Sequence, residues 1–291
     1  MMKKNLLLIL MCFVCGLVYA HDGLNFRNLD VKSGISDNYV RSVLRDQYGF
    51  MWFATLNGLN RYDGYQFKKY TTTQLGAYNN DIESIAEDAA GNIWIKGPVS
   101  YYIYDREQDK LENKIQPVLN KYGITGEVSY LTVDKDYNLW CTVMDTLFHY
   151  DFAKSKLHTF QLPGKEKMQQ VVCRRSCAYL LFSNGEIARI DSNFQHIRPE
   201  TRRTISSGLQ YNLYIDTVDR LWFYASHASG LQCYDTNQKQ WIDYVGRQEV
   251  TDALITAVMD DGDGNLWIGT DDKGVYISYN QDKQLVRINR S

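Results

Sequence analysis

Asp46-Gln47-Tyr48-Gly49-Phe50-Met51-Trp52 decides the fold, because its outline returns four more times along the chain. Asp88 and Trp94, Asp134 and Trp140, Asp216 and Trp222, and Asp261 and Trp267 keep the same offset of six, with turn-forming residues and an apolar residue between them. An Asp side chain bonds nearby backbone in tight turns and Gly accepts positive φ, so each copy reads as a hairpin turn that delivers Trp into the next strand. Ten to twelve residues after each Trp comes a second aromatic: Tyr62-Asp63, Tyr104-Asp105, Tyr150-Asp151, Tyr234-Asp235 and Tyr279-Asn280. The sixth tryptophan, Trp241, stands outside this rule, where an outer strand is expected.

Successive module tryptophans are 42, 46, 82 and 45 residues apart. The long interval fits two units, so a degraded copy is expected inside it, with Tyr179 near the tryptophan position and Ile190-Asp191 behind it. Around Trp52 the unit resolves into four short strands: Tyr39 to Arg45, Met51 to Thr55, Gly58 to Tyr62 and Gln66 to Tyr70. Four-stranded units repeating every ~40–45 residues are the sequence sign of a β-propeller. The expected fold is therefore all-β, a β-propeller of six four-stranded repeats, with an incomplete seven-bladed ring as the alternative. The repeats span about 39–72, 81–114, 127–162, 168–198, 209–245 and 253–289. A leading outer strand is expected at 26–31, and a helical turn at Gln116 to Tyr122 reads as an insertion. The tryptophans are expected to fill the wedge between adjacent blades, where each buries ~200 Å². Asp46, Asp88, Asp134, Asp216 and Asp261 tie the turns, so all ten module residues are structural.

Composition supports a folded domain and excludes several classes. Among 291 residues, 32 Lys+Arg nearly balance 34 Asp+Glu, which leaves no basic surface for phosphate-driven nucleic-acid binding. The 22 Tyr, 6 Trp and 11 Phe favour pleated, half-buried strands. Met1 to Lys4 followed by an apolar run from Leu6 to Val18 and small residues before His21 reads as a signal peptide at 1–20, too short for a membrane span of ~20 residues. The mature chain, 21–291, is expected to be periplasmic, with no membrane span after signal cleavage. Cys12 and Cys15 lack the small preceding residue of a lipoprotein signal. Cys141, Cys173, Cys177 and Cys233 define no disulfide framework and are read as buried thiols, with Cys173 and Cys177 expected on one strand.

The pattern Asp-x-x-Gly-x-Met/Leu-Trp-Phe/Ile at Asp46 to Phe53 and Asp261 to Ile268, with Gly58-Leu59-Asn60-Arg61-Tyr62-Asp63, resembles the two-component regulator propeller repeat. Phe26 to Val31 followed by Gly34 to Val40 is similar to the start of the sensor half of hybrid two-component systems. That resemblance implies an extracytoplasmic sensor of glycan breakdown products, normally carrying two seven-bladed propellers, an immunoglobulin-like spacer, a membrane helix and a kinase. Six units stand here instead of fourteen, so the chain is expected to be an N-terminal piece of a longer sensor.

Candidates for chemistry are weak. Asp260 to Asn265 has alternating oxygen ligands like a calcium loop, but Leu266 replaces the required Gly and no closing Glu follows. The five histidines are scattered, and no phosphate loop or nucleophile–base pair is present. The expectation is a non-enzyme with no catalytic residues, no metal and no cofactor; a propeller glycosidase would need two carboxylates ~5–10 Å apart. Ligand binding is expected on the longest loops between second and third strands, at Tyr224, His227, Asp271, Asp272 and Lys273. Aromatic and His rings stack on a sugar face while Asp and Lys bond hydroxyls. The expected partner is an oligosaccharide, with a homodimer or partner propeller in signalling; an extracytoplasmic protein-interaction scaffold is the competing reading.

Overall fold

The computed structural model describes residues 27–164, 166–174, 177–242, 248–279 and 284–288. The signal segment expected at 1–20 lies outside them. Six antiparallel sheets of four strands each follow one another along the chain, and in every sheet the strands lie in sequence order. The blades run over 40–70, 84–112, 128–161, 168–202, 211–242 and 255–288, close to the expected repeats. Inner strands from all six blades line one central cavity, so the sheets form a ring, a β-propeller. The helical insertion occurs as expected, at Gln116–Lys121.

The module explains each hairpin. In all five copies one carboxylate oxygen of the Asp accepts the indole N–H six residues on, at 2.9, 2.8, 2.8, 2.8 and 3.1 Å in chain order. The other accepts backbone N–H groups two and four residues on, as Asp46 does from Tyr48 and Phe50 at 3.0 Å. One carboxylate thus closes the turn and fixes the ring. The residue three before each Trp is left-handed throughout: Gly49, Gly91 and Gly264, but Tyr137 (φ 62°) and Asp219 (φ 64°) in blades 3 and 5. Only glycine takes that conformation without cost.

Four of the five module indoles are the expected wedges; Trp267 departs from the expectation and is only half-buried, with no core cluster of the described residues around it. Trp52 is fully buried against Ile85, Ile95 and Tyr104 of blade 2, Trp94 against Leu131 of blade 3, Trp140 against Val171 of blade 4, and Trp222 against Val258 of blade 6. Tyr179 takes the wedge between blades 4 and 5, packed on Leu213, confirming the degraded copy. Trp241 lies on an outer strand, Gln240–Ile242, and donates to Thr201 at 2.9 Å. Polar side chains stitch successive blades. Tyr101 and Tyr130 accept from the backbone N–H of Leu131 and Val171 at 2.9 Å, and Tyr214 accepts from Asp260 at 2.8 Å. Gln170 both donates to and accepts from the Leu213 backbone.

Two expectations are corrected. Residues 27–31 form no strand: 27–30 are irregular, and Val31–Ser33 make a 3-10 turn whose N–H groups are capped by Asp30. The capping carboxylate satisfies local donors that a strand would need to pair across a ladder. Cys173 and Cys177 do not share a strand; they lie on opposite arms of a hairpin, Met168–Arg174 and Cys177–Phe182. Cys173 faces Ala178 and packs toward Trp140, whereas Cys177 pairs with Arg174 and packs toward blade 5. Adjacent positions on a pleated ladder point to opposite faces, so the two thiols cannot bridge.

Candidate functional site

The central cavity has a volume of about 1060 Å³ and opens at the rim formed by the links between second and third strands and between successive blades. Near the opposite rim the Lys135 ammonium spans the axis, donating to Tyr214 at 2.8 Å, to the Ile215 carbonyl at 3.1 Å and to Asp260 at 3.3 Å.

The lining follows a rule. Arg41, Glu83, Ser129, Tyr211 and Thr256 each stand eleven residues before a module tryptophan, and all five line the mouth. This position lies within one residue of the start of each inner strand, and in blades 1, 3 and 6 it falls at a shift of the ladder register. The residues differ in every blade, as a ligand surface requires and a structural repeat does not.

Among the charged side chains of the mouth, Lys96 and Glu83 pair with each other and His227 faces Asp271, while Asp145 and Lys167 also line it. Lys96 meets Glu83 at 2.7 Å, Arg41 meets Asp81 at 3.1 Å, and Glu166 accepts from the Ser183 hydroxyl at 2.8 Å. Beside the apolar Val40, Leu131, Met144, Leu162 and Met168, the lining carries hydroxyls, amides and phenols: Ser129 and Thr142 share a 2.8 Å hydrogen bond, Asn212 donates to Ser226 at 2.7 Å, and Tyr39, Tyr101, Tyr130 and Tyr211 add rings. Burial pushes the Tyr101 phenol up to about 12, so it acts as a neutral hydrogen-bonding group. Such a surface can meet a ligand through hydroxyl, amide and ring contacts.

The five residues expected from sequence part company. His227 and Asp271 do line the cavity, joined Nδ1 to Oδ2 at 2.5 Å. The other ring nitrogen of His227 lies 3.4 Å from the Tyr39 hydroxyl, and the residue holds φ 57°, anchored by its backbone N–H on the Ile255 carbonyl at 2.8 Å. Asp272 and Lys273 instead shape their own loop. Asp272 caps the Leu254 N–H at 3.1 Å, and Lys273 donates to the Glu249 carbonyl at 3.4 Å. Tyr224 is no loop residue: it sits within the strand Arg220–Ala225, is 8% exposed and packs on blade 6. Its alternation places the ring on the blade-facing side of the sheet, so it belongs to the core. Tyr39, Arg41, Glu83 and Tyr211 were not singled out from sequence, although the eleven-residue offset would have found three of them.

Residues 34–57 and 250–272, which contain the first and last Asp–Trp modules, match the family model described as the two component regulator propeller. These two stretches are what the chain shares with that repeat model. Among solved structures, this chain is similar to the extracellular domain of a protein described as a hybrid two-component system from B. thetaiotaomicron, at 21% identity and TM-score 0.64, covering 91% of this chain and 37% of that one. A second extracellular domain from B. thetaiotaomicron, described as a one-component system, gives 22% identity and TM-score 0.62 over 89% of this chain and 34% of its own. Virginiamycin B lyase from Staphylococcus aureus gives 13% identity and TM-score 0.59, covering 87% and 85%. At these identities the likeness establishes the fold. The chain spans about a third of the length of the two sensor domains, 37% and 34%. A search of the curated proteins finds no significant match. Among the described residues no helix is long and apolar enough to cross a membrane, and no group of His, Cys, Asp and Glu has metal-binding geometry.

Proposed function

We propose that this propeller is an extracytoplasmic sensor module that binds a neutral oligosaccharide at the mouth of its central cavity, and that it works as a binder and not as a catalyst. The observation that carries the reading is the lining itself: the position eleven residues before each module tryptophan, variable in identity, at a mouth that offers hydroxyls, amides and phenols, with Glu83 and Lys96 paired. The regulator-propeller repeats and the extracellular sensor domains of similar fold supply the signalling context. In a receptor of this kind, ligand favours one arrangement of the propeller with a second protomer or partner propeller, and the output follows that shift.

Calorimetry of the purified chain against neutral and acidic oligosaccharides tests the proposal. A neutral oligosaccharide is expected to bind, with affinity falling about tenfold in Tyr211→Ala and in Arg41→Ala, as loss of one good contact predicts. Absence of binding across the panel would favour the scaffold reading, and new reducing ends in the same samples would reveal a hydrolase.

A further inference from the structure

The side chains lining the central cavity are not spread evenly around it. Its Leu and Met residues, Leu131, Met144, Leu162 and Met168, all come from blades 3 and 4 and the link between them, while Val40 adds an aliphatic chain from blade 1. Among the described residues, blades 5 and 6 supply none. Beside the Tyr211 ring they bring amide, hydroxyl, imidazole and carboxylate groups, among them Asn212, Ser226, His227, Thr256 and Asp271. On the other side, Tyr130 accepts the Val171 N–H at 2.9 Å, which engages its oxygen, and its ring packs in one apolar cluster with Leu162 and Met168. The Asp145 carbonyl accepts the Leu162 N–H at 2.9 Å, which sets Leu162 beside the turn of Met144. Asp145, Glu166 and Lys167 are the charged residues lining this side, and Glu166 is held by the Ser183 hydroxyl at 2.8 Å.

The backbone marks the same two sides. Between second and third strands, blades 1, 4 and 6 place a glycine in the left-handed conformation: Gly58, Gly185 and Gly274. Blade 3 places Met144 there (φ 52°) and blade 5 His227 (φ 57°). The other left-handed residues with side chains, among those described, all lie in turns of the opposite rim. Met144 is 89% exposed, so the fold gains no burial from holding an apolar chain in a strained turn at the mouth. Strain of this kind collects where a ligand is met.

The geometry points to an apolar subsite on the blade 3 and 4 side of the mouth, made by Met144 and Leu162 with Tyr130 and Met168, that takes the alkyl or aryl aglycone of a glycoside while the sugar faces blades 5 and 6. The inference rests on the sugar-binding reading above and adds a ligand class, a sugar bearing an apolar substituent. A free oligosaccharide carries hydroxyls around every ring and leaves them facing thioether and aliphatic groups that cannot bond them. An aglycone instead removes Met144 and Leu162 from water, and the flexible thioether adapts to its shape. The cavity, at about 1060 Å³, has room for both parts.

Calorimetry of the purified chain against a panel of free disaccharides and the p-nitrophenyl glycoside of each tests the inference. The glycoside is expected to bind about tenfold more tightly than its free sugar, as burial of an aryl group predicts. Met144→Asn, which suits the left-handed turn, and Leu162→Ser are each expected to remove most of that preference and to leave the affinity for the free sugar unchanged. His227→Asn is expected to weaken both members of a pair. Equal affinity within every pair would overturn the inference and leave the sugar-binding reading standing, as would a preference that survives in both Met144→Asn and Leu162→Ser. Binding of p-nitrophenol alone as tightly as its glycosides would also overturn it. No binding by any member of the panel would overturn both.

Discussion

His149 offers the sharpest quantitative test of the packing. Its ring is 1% exposed and sandwiched between Trp140, at 4.0 Å between centroids, and Phe194, at 4.6 Å. Neither ring nitrogen has a hydrogen-bond partner, and the nearest carboxylate oxygen, on Asp134 at 4.0 Å, is committed to the Trp140 indole. Burial, helped by neighbouring His158, lowers its pKa from 6.5 to about 4. The folded state therefore refuses a proton that the unfolded chain accepts below pH 6.5. Above that value His149 contributes nothing to pH dependence. Between pH 6.5 and about 4 stability falls as pH falls, and the deficit levels off near 3 kcal/mol at ~1.4 kcal/mol per tenfold change in proton affinity. His149→Phe keeps the stacked shape and removes both unpartnered nitrogens. Its urea unfolding free energy is expected to match or exceed wild type by about 1 kcal/mol at pH 7.5. Against the same acid titration it should lose most of the 3 kcal/mol decline. Parallel wild-type and variant profiles would refute the reasoning, and would mean that Asp134 turns to take up the imidazolium.

Other outcomes follow from the module and the site. Trp52→Ala should cost about 3–5 kcal/mol in chemical denaturation, whereas Trp267→Ala, which vacates a half-open site, should cost less than half as much. Asp88→Ala strips acceptors from the Trp94 indole and two backbone N–H groups, so a loss of about 2–3 kcal/mol is expected by the same measurement. Tyr137→Gly relieves a left-handed residue and should raise stability by up to about 1 kcal/mol; a lower melting temperature would count against the turn geometry. Burial pushes the Cys141 thiol up to about 12 and raises Cys173 as well, so both should resist thiol reagents in the folded state, and non-reducing mass spectrometry should find no Cys173–Cys177 bridge.

The blades, their number and their boundaries were legible in the sequence because the Asp–turn–Trp module is a local device. One carboxylate, one turn and one indole lie within seven residues, so the pattern survives wherever the blade stands in the ring. Even the degraded fourth unit could be located, since Tyr179 keeps the wedge after the Asp is lost. The ligand surface was less legible. His227 and Asp271 were reached through loop length, but Tyr224 was misplaced because the second strand runs on through Ala225 and turns its ring into the blade interface. Asp30 likewise looked extended until its carboxylate was seen to cap a turn.

Sequence by itself determined the repeating unit, the identity of its structural residues and the all-β ring they imply. Tertiary structure alone decided which side chains share the mouth, since Tyr39 and His227 are 188 residues apart and meet across the ring. It alone also decided that Val43 and Trp267 are more exposed than their counterparts in the other blades. The reason is physical: hairpin hydrogen bonding is settled within a few residues, whereas burial depends on what stands on the far side of each sheet, and no local pattern in blade 1 or blade 6 encodes its neighbour.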